Sequence, residues 1–216
     1  LEFLEILEIC LIYIFKIESF FKMKVDIQKK VKIIQKSMES IRRSDTTLHT
    51  ITFPRLAQEL QIPMEELTSF FLNVEDIFLN EQKRVNRKIE KFLNEGIQNA
   101  KTASQAKELL ESATLKLVDL LPEHSDLVFS ASFYLPKCIE ERARAKKYYK
   151  QAFRRIIKKG WPGKIDAVLD RQTDLVLLSV YGFYEYCAKV SKKEGKAIHK
   201  DFTNMINLHL QDRLFF

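Results

Sequence analysis

The chain has 216 residues, 46% hydrophobic and 30% charged, a balance that speaks against disorder and allows one large or two small domains with substantial cores. Five Gly and five Pro over that length, beside abundant Leu, Ile, Lys, Glu and Gln, argue for long helices and few tight turns. The net charge of +7 and pI near 9.2 raise nucleic acid as a partner, but ten Lys/Arg against two Glu lie in residues 140–164, whereas residues 23–93 hold thirteen basic and ten acidic residues.

Residues 1–22 are the most apolar part of the chain. Their longest uncharged run, Ile9 to Phe15, is far short of the roughly 20 residues a bilayer span needs, and the basic start of a secretory signal is missing. An amphipathic helix on a membrane surface is one reading, opposed on anionic lipid by Glu2, Glu5, Glu8 and Glu18. The expectation adopted is that translation begins at Met23, leaving residues 1–22 as an over-extended reading frame. Cys10, Cys138 and Cys187 lack metal-ligand or paired spacing and suit a reducing, cytoplasmic setting.

From Met23 onward, Ile27, Val31, Ile34, Met38 and Ile41 are spaced 4-3-4-3 and predict one stripe of a helix with lysines on its other face. After a polar interruption, Thr52 is placed to cap a second helix, with Pro54 in its first turn. Phe53, Leu56, Ala57 and Leu60 line that helix. Gln61-Ile62-Pro63 breaks it before a third, carrying Leu67, Phe70 and Phe71. A longer fourth helix follows, with Ile77, Phe78, Val85, Ile89 and Phe92 inward and Gly96 expected as its C-cap.

Longer elements follow. Ala106, Leu109, Leu110, Ala113, Leu117 and Leu121 form a stripe ended by Pro122. A short apolar segment leads to Pro136, and a very basic helix from Cys138 to Lys159 ends at Lys-Gly-Trp-Pro-Gly. A helix over 165–190 is apolar on most of its surface. The last, over 197–211, carries Ile198, Phe202, Met205, Ile206 and Leu208. The expected fold class is all-α, with a three-helix N-terminal unit and a larger C-terminal bundle, divided as 23–95 and 96–216.

The stretch from Thr52 to Val85 resembles the helix-turn-helix of TetR-type transcriptional regulators. Thr52 stands at that family's capping threonine, Leu56-Ala57 at its inward pair, Ile62 in the tight turn, Leu67 inside the recognition helix and Phe70-Phe71 at its end. Glu75-Asp76-Ile77-Phe78 stands where an acidic segment opens the fourth helix. The resemblance implies a DNA-binding regulator, a repressor by expectation, in which Thr52, Arg55, Met64, Glu65, Thr68, Ser69 and Asn73 face double-stranded DNA. The segment also departs from the pattern. Gln61 replaces a common turn glycine, Val74 a phosphate-contacting lysine, and Glu65 and Glu66 bring negative charge to the recognition helix. One of them could accept from cytosine N4, or both could only favour the helix N-terminus. Lys24, Lys29, Lys30, Arg42 and Arg43 on the first helix are expected to compensate.

No phosphate loop, nucleophile elbow or metal spacing occurs, so neither catalysis nor a cofactor is expected, and the four histidines read as surface or capped residues. Aromatic side chains crowd the C-terminal half. They read as core or, as the resemblance implies, as the wall of a small-molecule effector pocket formed by Phe129, Phe133, Tyr149, Phe153, Tyr181 and Tyr184. The Arg142–Lys159 helix reads as a solvated face or as a site for anionic lipid or an acidic partner. A homodimer is expected through Leu175, Leu178, Tyr181, Gly182, Phe202 and Met205, the alternative being that the apolar helix is simply central in a monomeric bundle. The competing function is a protein of this fold that has lost DNA binding and holds a lipid, a membrane surface or another protein.

Overall fold

The computed structural model describes residues 25–43, 51–121 and 125–211, and every regular element among them is a helix. The expectation for residues 1–22 lies outside the described residues. The helices are α1 (25–43), α2 (Phe53–Leu60), α3 (Met64–Phe70), α4 (Val74–Asn99), α5 (Ala103–Leu120), α6 (Ser125–Tyr134), α7 (Pro136–Gly160), α8 (Asp166–Lys189) and α9 (Lys192–Leu210). Two compact units result, Leu1–Val74 and Glu75–Phe216. The expected boundary at 95/96 falls inside α4, because Val85, Ile89 and Leu93 join the core of the second unit.

In the first unit, Ile34, Met38 and Ile41 of α1 are buried as the spacing predicts, together with Ile33 and Ser37, whereas Ile27 is exposed. Ser37 satisfies its buried hydroxyl by donating to the Ile33 carbonyl at 2.8 Å. Phe53, Leu56 and Ala57 of α2 and the fully buried Leu67 of α3 complete the apolar set with Phe71. Leu67→Ala there would forfeit about 2–5 kcal/mol.

The second unit is a bundle in which α7 packs on α5, α6 and α8, and α9 on α5 and α8. All six positions of the expected α5 stripe, from Ala106 to Leu121, are buried. Thr102 and Gln105 start this helix with a reciprocal capping box. Pro136, in the first turn of α7, starts that helix two residues before the expected Cys138. Glu75 accepts from the Lys137 backbone N–H at 2.6 Å and Asp76 from Lys137 Nζ at 3.0 Å, so the acidic start of α4 satisfies a donor that opens α7.

Two expectations are corrected, for Gly96 and for His199. Gly96 is no C-cap: it lies within α4, where a Cβ would stand 2.3 Å from Leu109 Cδ1, so its value is the close approach of α5. The inward seam of α9 is Gly195, His199, Thr203, Ile206 and Leu210, while Met205 and Leu208 point outward. His199 is accordingly buried, its Nε2 2.8 Å from Thr114 Oγ1 and 3.2 Å from the Glu111 carbonyl.

Candidate nucleic-acid interface and interior cavity

The α2–α3 turn is set by hydrogen bonding. Gln61 N–H donates to the Gln58 carbonyl at 3.2 Å and Ile62 N–H to the Ala57 carbonyl at 3.1 Å, the crossed pair of a Schellman motif. Gln61 occupies the left-handed region, φ 55° and ψ 42°, where the resemblance leads one to look for glycine. Thr52 holds the N-cap position in extended conformation, and its carbonyl accepts from Leu56 N–H, but its hydroxyl makes no capping bond. The expected side-chain cap is therefore absent.

Thr52, Arg55, Met64, Glu65, Thr68, Ser69 and Asn73 are all exposed. Their polar atoms are less free than the sequence suggests. Arg55 Nε is 2.9 Å from Glu59, whose carboxyl is held below its ordinary range by the Ser40 hydroxyl and then by Arg55. Thr68 donates to the Met64 and Glu65 carbonyls, and Ser69 to Glu66 at 2.7 Å. Lys29 pairs with Glu66 at 3.2 Å, and Lys30 lies over the Phe71 ring. Glu65 has no ion pair among the described residues.

In the second unit, α4, α5, α6, α7 and α8 line a partly open cavity of about 80 Å³. Of the six aromatic residues expected to form a pocket, Phe129, Tyr149, Phe153, Tyr181 and Tyr184 line it. Phe133 does not; it sits beside Phe129 at 5.0 Å between ring centres and under the Arg142 guanidinium at 3.7 Å. Burial raises the hydroxyl pKa of Tyr149 and Tyr184 and pushes Tyr181 up to about 12, so all three are neutral donors near pH 7.

A buried polar ladder joins α4 to α7 beside the cavity. Tyr149 donates to Asn86 Oδ1 at 2.9 Å, Asn86 donates to Glu141 at 2.8 Å, and Arg144 bridges Glu141 and Glu90. Sequence reasoning missed this ladder and Gln82. The available signal was the four-residue spacing of Gln82 and Asn86 in line with Ile89 and Leu93. The basic face of α7 is partly neutralised, with Arg144 on Glu90 and Glu141, Lys150 on Asp174, and Arg154 on Asp166 and Asp170.

Leu175, Leu178 and Gly182 form an exposed line on α8, and a Cβ at Gly182 would meet nothing within 4 Å. Met205 and Leu208 are exposed on α9. Two residues of the expected dimer set point elsewhere: Tyr181 lines the cavity, and Phe202 stacks on Phe183 at 4.2 Å. Among the described residues no helix is long and apolar enough to cross a membrane, and no group of His, Cys, Asp and Glu could hold a metal ion.

No protein-family model matches the chain, and no curated protein matches its sequence. Solved structures do match. A candidate transcriptional regulator from Pseudomonas aeruginosa PAO1 superposes with a TM-score of 0.61 at 12% identity, over 85% of this chain and 93% of that one. A second candidate transcriptional regulator, from Streptomyces coelicolor A3(2), gives 0.52 at 13% identity, over 82% and 98%. At such identities the likeness is one of fold: this chain has the all-α architecture of those proteins.

Proposed function

We propose that the chain is a TetR-type DNA-binding transcriptional regulator, a cytoplasmic repressor that acts as a homodimer and leaves its operator when a small apolar or aromatic effector enters the cavity. The observation that carries this reading is one chain joining an exposed α3, set off from α2 by a Schellman turn, to a second unit with an aromatic cavity. The fold shared with two candidate regulators supports it. Thr52, Arg55, Met64, Glu65, Thr68, Ser69 and Asn73 are the residues offered to duplex DNA. The route from effector to operator runs through α4, which follows α3 directly in the chain, supplies Gln82, Asn86, Ile89 and Leu93 to the cavity, and grips α7 through Glu75 and Asp76. Leu175, Leu178, Gly182 and Met205 supply the dimer face.

The test is a gel-shift with duplex from the region upstream of its own coding sequence. A complex that weakens steeply with salt is expected. No complex with any duplex at low salt refutes the proposal. The second reading, a protein of this fold without DNA binding, is favoured by Glu65, without an ion pair among the described residues, and by the capture of Lys29 and Arg55 in ion pairs. Binding to anionic vesicles without a duplex complex would establish it.

A further inference from the structure

The cavity wall is apolar except around one group of polar side chains. Asn86 and Tyr149 satisfy each other and Glu141, but Gln82 Oε1 and Tyr181 Oη are buried with no hydrogen-bond partner among the described residues. Gln82 is fixed in orientation, since its Nε2 donates to the Cys138 carbonyl at 3.2 Å, so the unpaired atom is an acceptor that calls for a donor. One turn along α7 from Cys138 stands Arg142, half-buried, lining the same cavity and stacked on Phe133. Arg142 has no carboxylate partner among the described residues, for the adjacent Glu141 turns to Asn86 and Arg144. Tyr181 lines the same cavity as Arg142, and burial raises the pKa of its hydroxyl while the Arg142 charge acts in the opposite sense. Among the described residues, a half-buried cation without a carboxylate, a neutral hydroxyl and a lone acceptor therefore surround an apolar space.

We propose that this cavity takes a small monocarboxylate that also carries a hydroxyl or N–H group. Its carboxylate lies against Arg142 and Tyr181 Oη, its donor on Gln82 Oε1, and its hydrocarbon against Ile89, Leu93 and Leu117. Guanidinium is the side chain best matched to a carboxylate, because two parallel N–H bonds meet its two oxygens. Size favours a small ligand: about 80 Å³ is roughly half of an apolar cavity that accepts benzene, so a ring requires lining side chains to shift. The proposal rests on the cavity being the effector site.

Isothermal titration of the full chain with benzoate, the hydroxybenzoates and benzyl alcohol separates the two ideas. Benzoate is expected to bind about ten- to a hundredfold more tightly than benzyl alcohol, and at least one hydroxybenzoate several-fold more tightly again. Arg142→Gln should abolish the carboxylate preference and leave benzyl alcohol binding unchanged. Tyr181→Phe should weaken benzoate several-fold, and Gln82→Met should remove only the gain from the hydroxyl. Equal binding of benzoate and benzyl alcohol, or a carboxylate preference that survives Arg142→Gln, overturns the anion site while the apolar cavity stands. Failure of every probe to bind the unaltered chain overturns both.

Discussion

Glu65 and Glu66 are adjacent in sequence and differently placed, and replacing each in turn tests what α3 does. Glu66 lies 3.2 Å from Lys29 Nζ, with the two side chains 25% and 49% exposed, whereas Glu65 is exposed and unpaired among the described residues. An ion pair so open to water is worth about 0–1 kcal/mol, so breaking it leaves the fold nearly unchanged. The effect expected on DNA binding is larger. Each phosphate neutralised steepens the slope of log K against log salt by about 0.9, which over a rise from about 50 to about 200 mM is roughly a 3.5-fold greater loss of affinity. Glu65→Lys exchanges a repelling charge for a new contact and should steepen the slope by about that amount, with tighter binding at low salt. Glu66→Gln releases Lys29 and should approach the same slope if that lysine reaches the backbone. The assay is fluorescence anisotropy on a random-sequence duplex across that salt range, with a cognate duplex alongside. If Glu65 reads cytosine, Glu65→Lys also loses the cognate preference. Coincident slopes for all three proteins would refute the reasoning, because α3 would then not approach phosphate.

Gln61→Gly should stabilise the chain by about 0.5–1 kcal/mol in urea denaturation, since an exposed residue at φ 55° carries left-handed strain that glycine lacks; a loss would contradict the turn geometry. For Glu141, burial opposes ionisation, but hydrogen bonds from Arg144 and Asn86 outweigh it and hold the carboxyl below 4.5. Its contribution is therefore complete above the unfolded value of 4.5 and is lost as pH falls through the lower folded value. Glu141→Gln should flatten the acid limb of a pH series of melts; an unchanged limb would remove this carboxylate from the account. Leu178, 62% exposed on α8, should anchor the dimer, so sedimentation at micromolar concentration is expected to give twice the 25.5 kDa chain mass, and the chain mass alone for Leu178→Arg. A 25.5 kDa species before any substitution would leave the dimer without support.

Much of the fold was legible because apolar spacing dominates it. The α5 stripe and the positions Leu56, Ala57 and Leu67 follow from periodicity alone. The misreadings of Gly96 and His199 share one cause, inward positions occupied by residues that rank as polar or small. The seam of α9 contains Gly195, His199 and Thr203, which the spacing of the apolar residues does not reveal. Gly96 looked like a terminator because a glycine needed for close approach has the same letter as one needed for a left-handed cap. At the candidate site, aromatic content located five of the cavity residues but not Gln82, Asn86 or Arg142. Their roles depend on partners 55 or more residues away, or on a missing partner, and neither is periodic.

Net charge misleads here for a related reason. The count of +7 treats every lysine and arginine as available, yet the fold commits many of them. On α7, Arg144, Lys150 and Arg154 face carboxylates of α4, α7 and α8, and Lys159 donates to the Ala100 carbonyl. Lys146, Lys147, Arg155 and Lys158 remain exposed without an ion pair among the described residues, a thinner patch than the sequence of α7 implies for a lipid surface. In the first unit Lys29 and Arg55 are similarly engaged, while Lys32 and Lys36 of α1 stay exposed. Phosphate affinity scales with the cations that can exchange a counterion for a phosphate, not with the total. A carboxylate already holding a lysine or arginine must first be displaced, so in the proposed DNA-binding role Glu66 and Glu59 would weaken non-specific binding without destabilising α2 or α3. If the chain reads DNA as proposed, such an arrangement would favour base contacts and two linked half-sites over adhesion to any duplex.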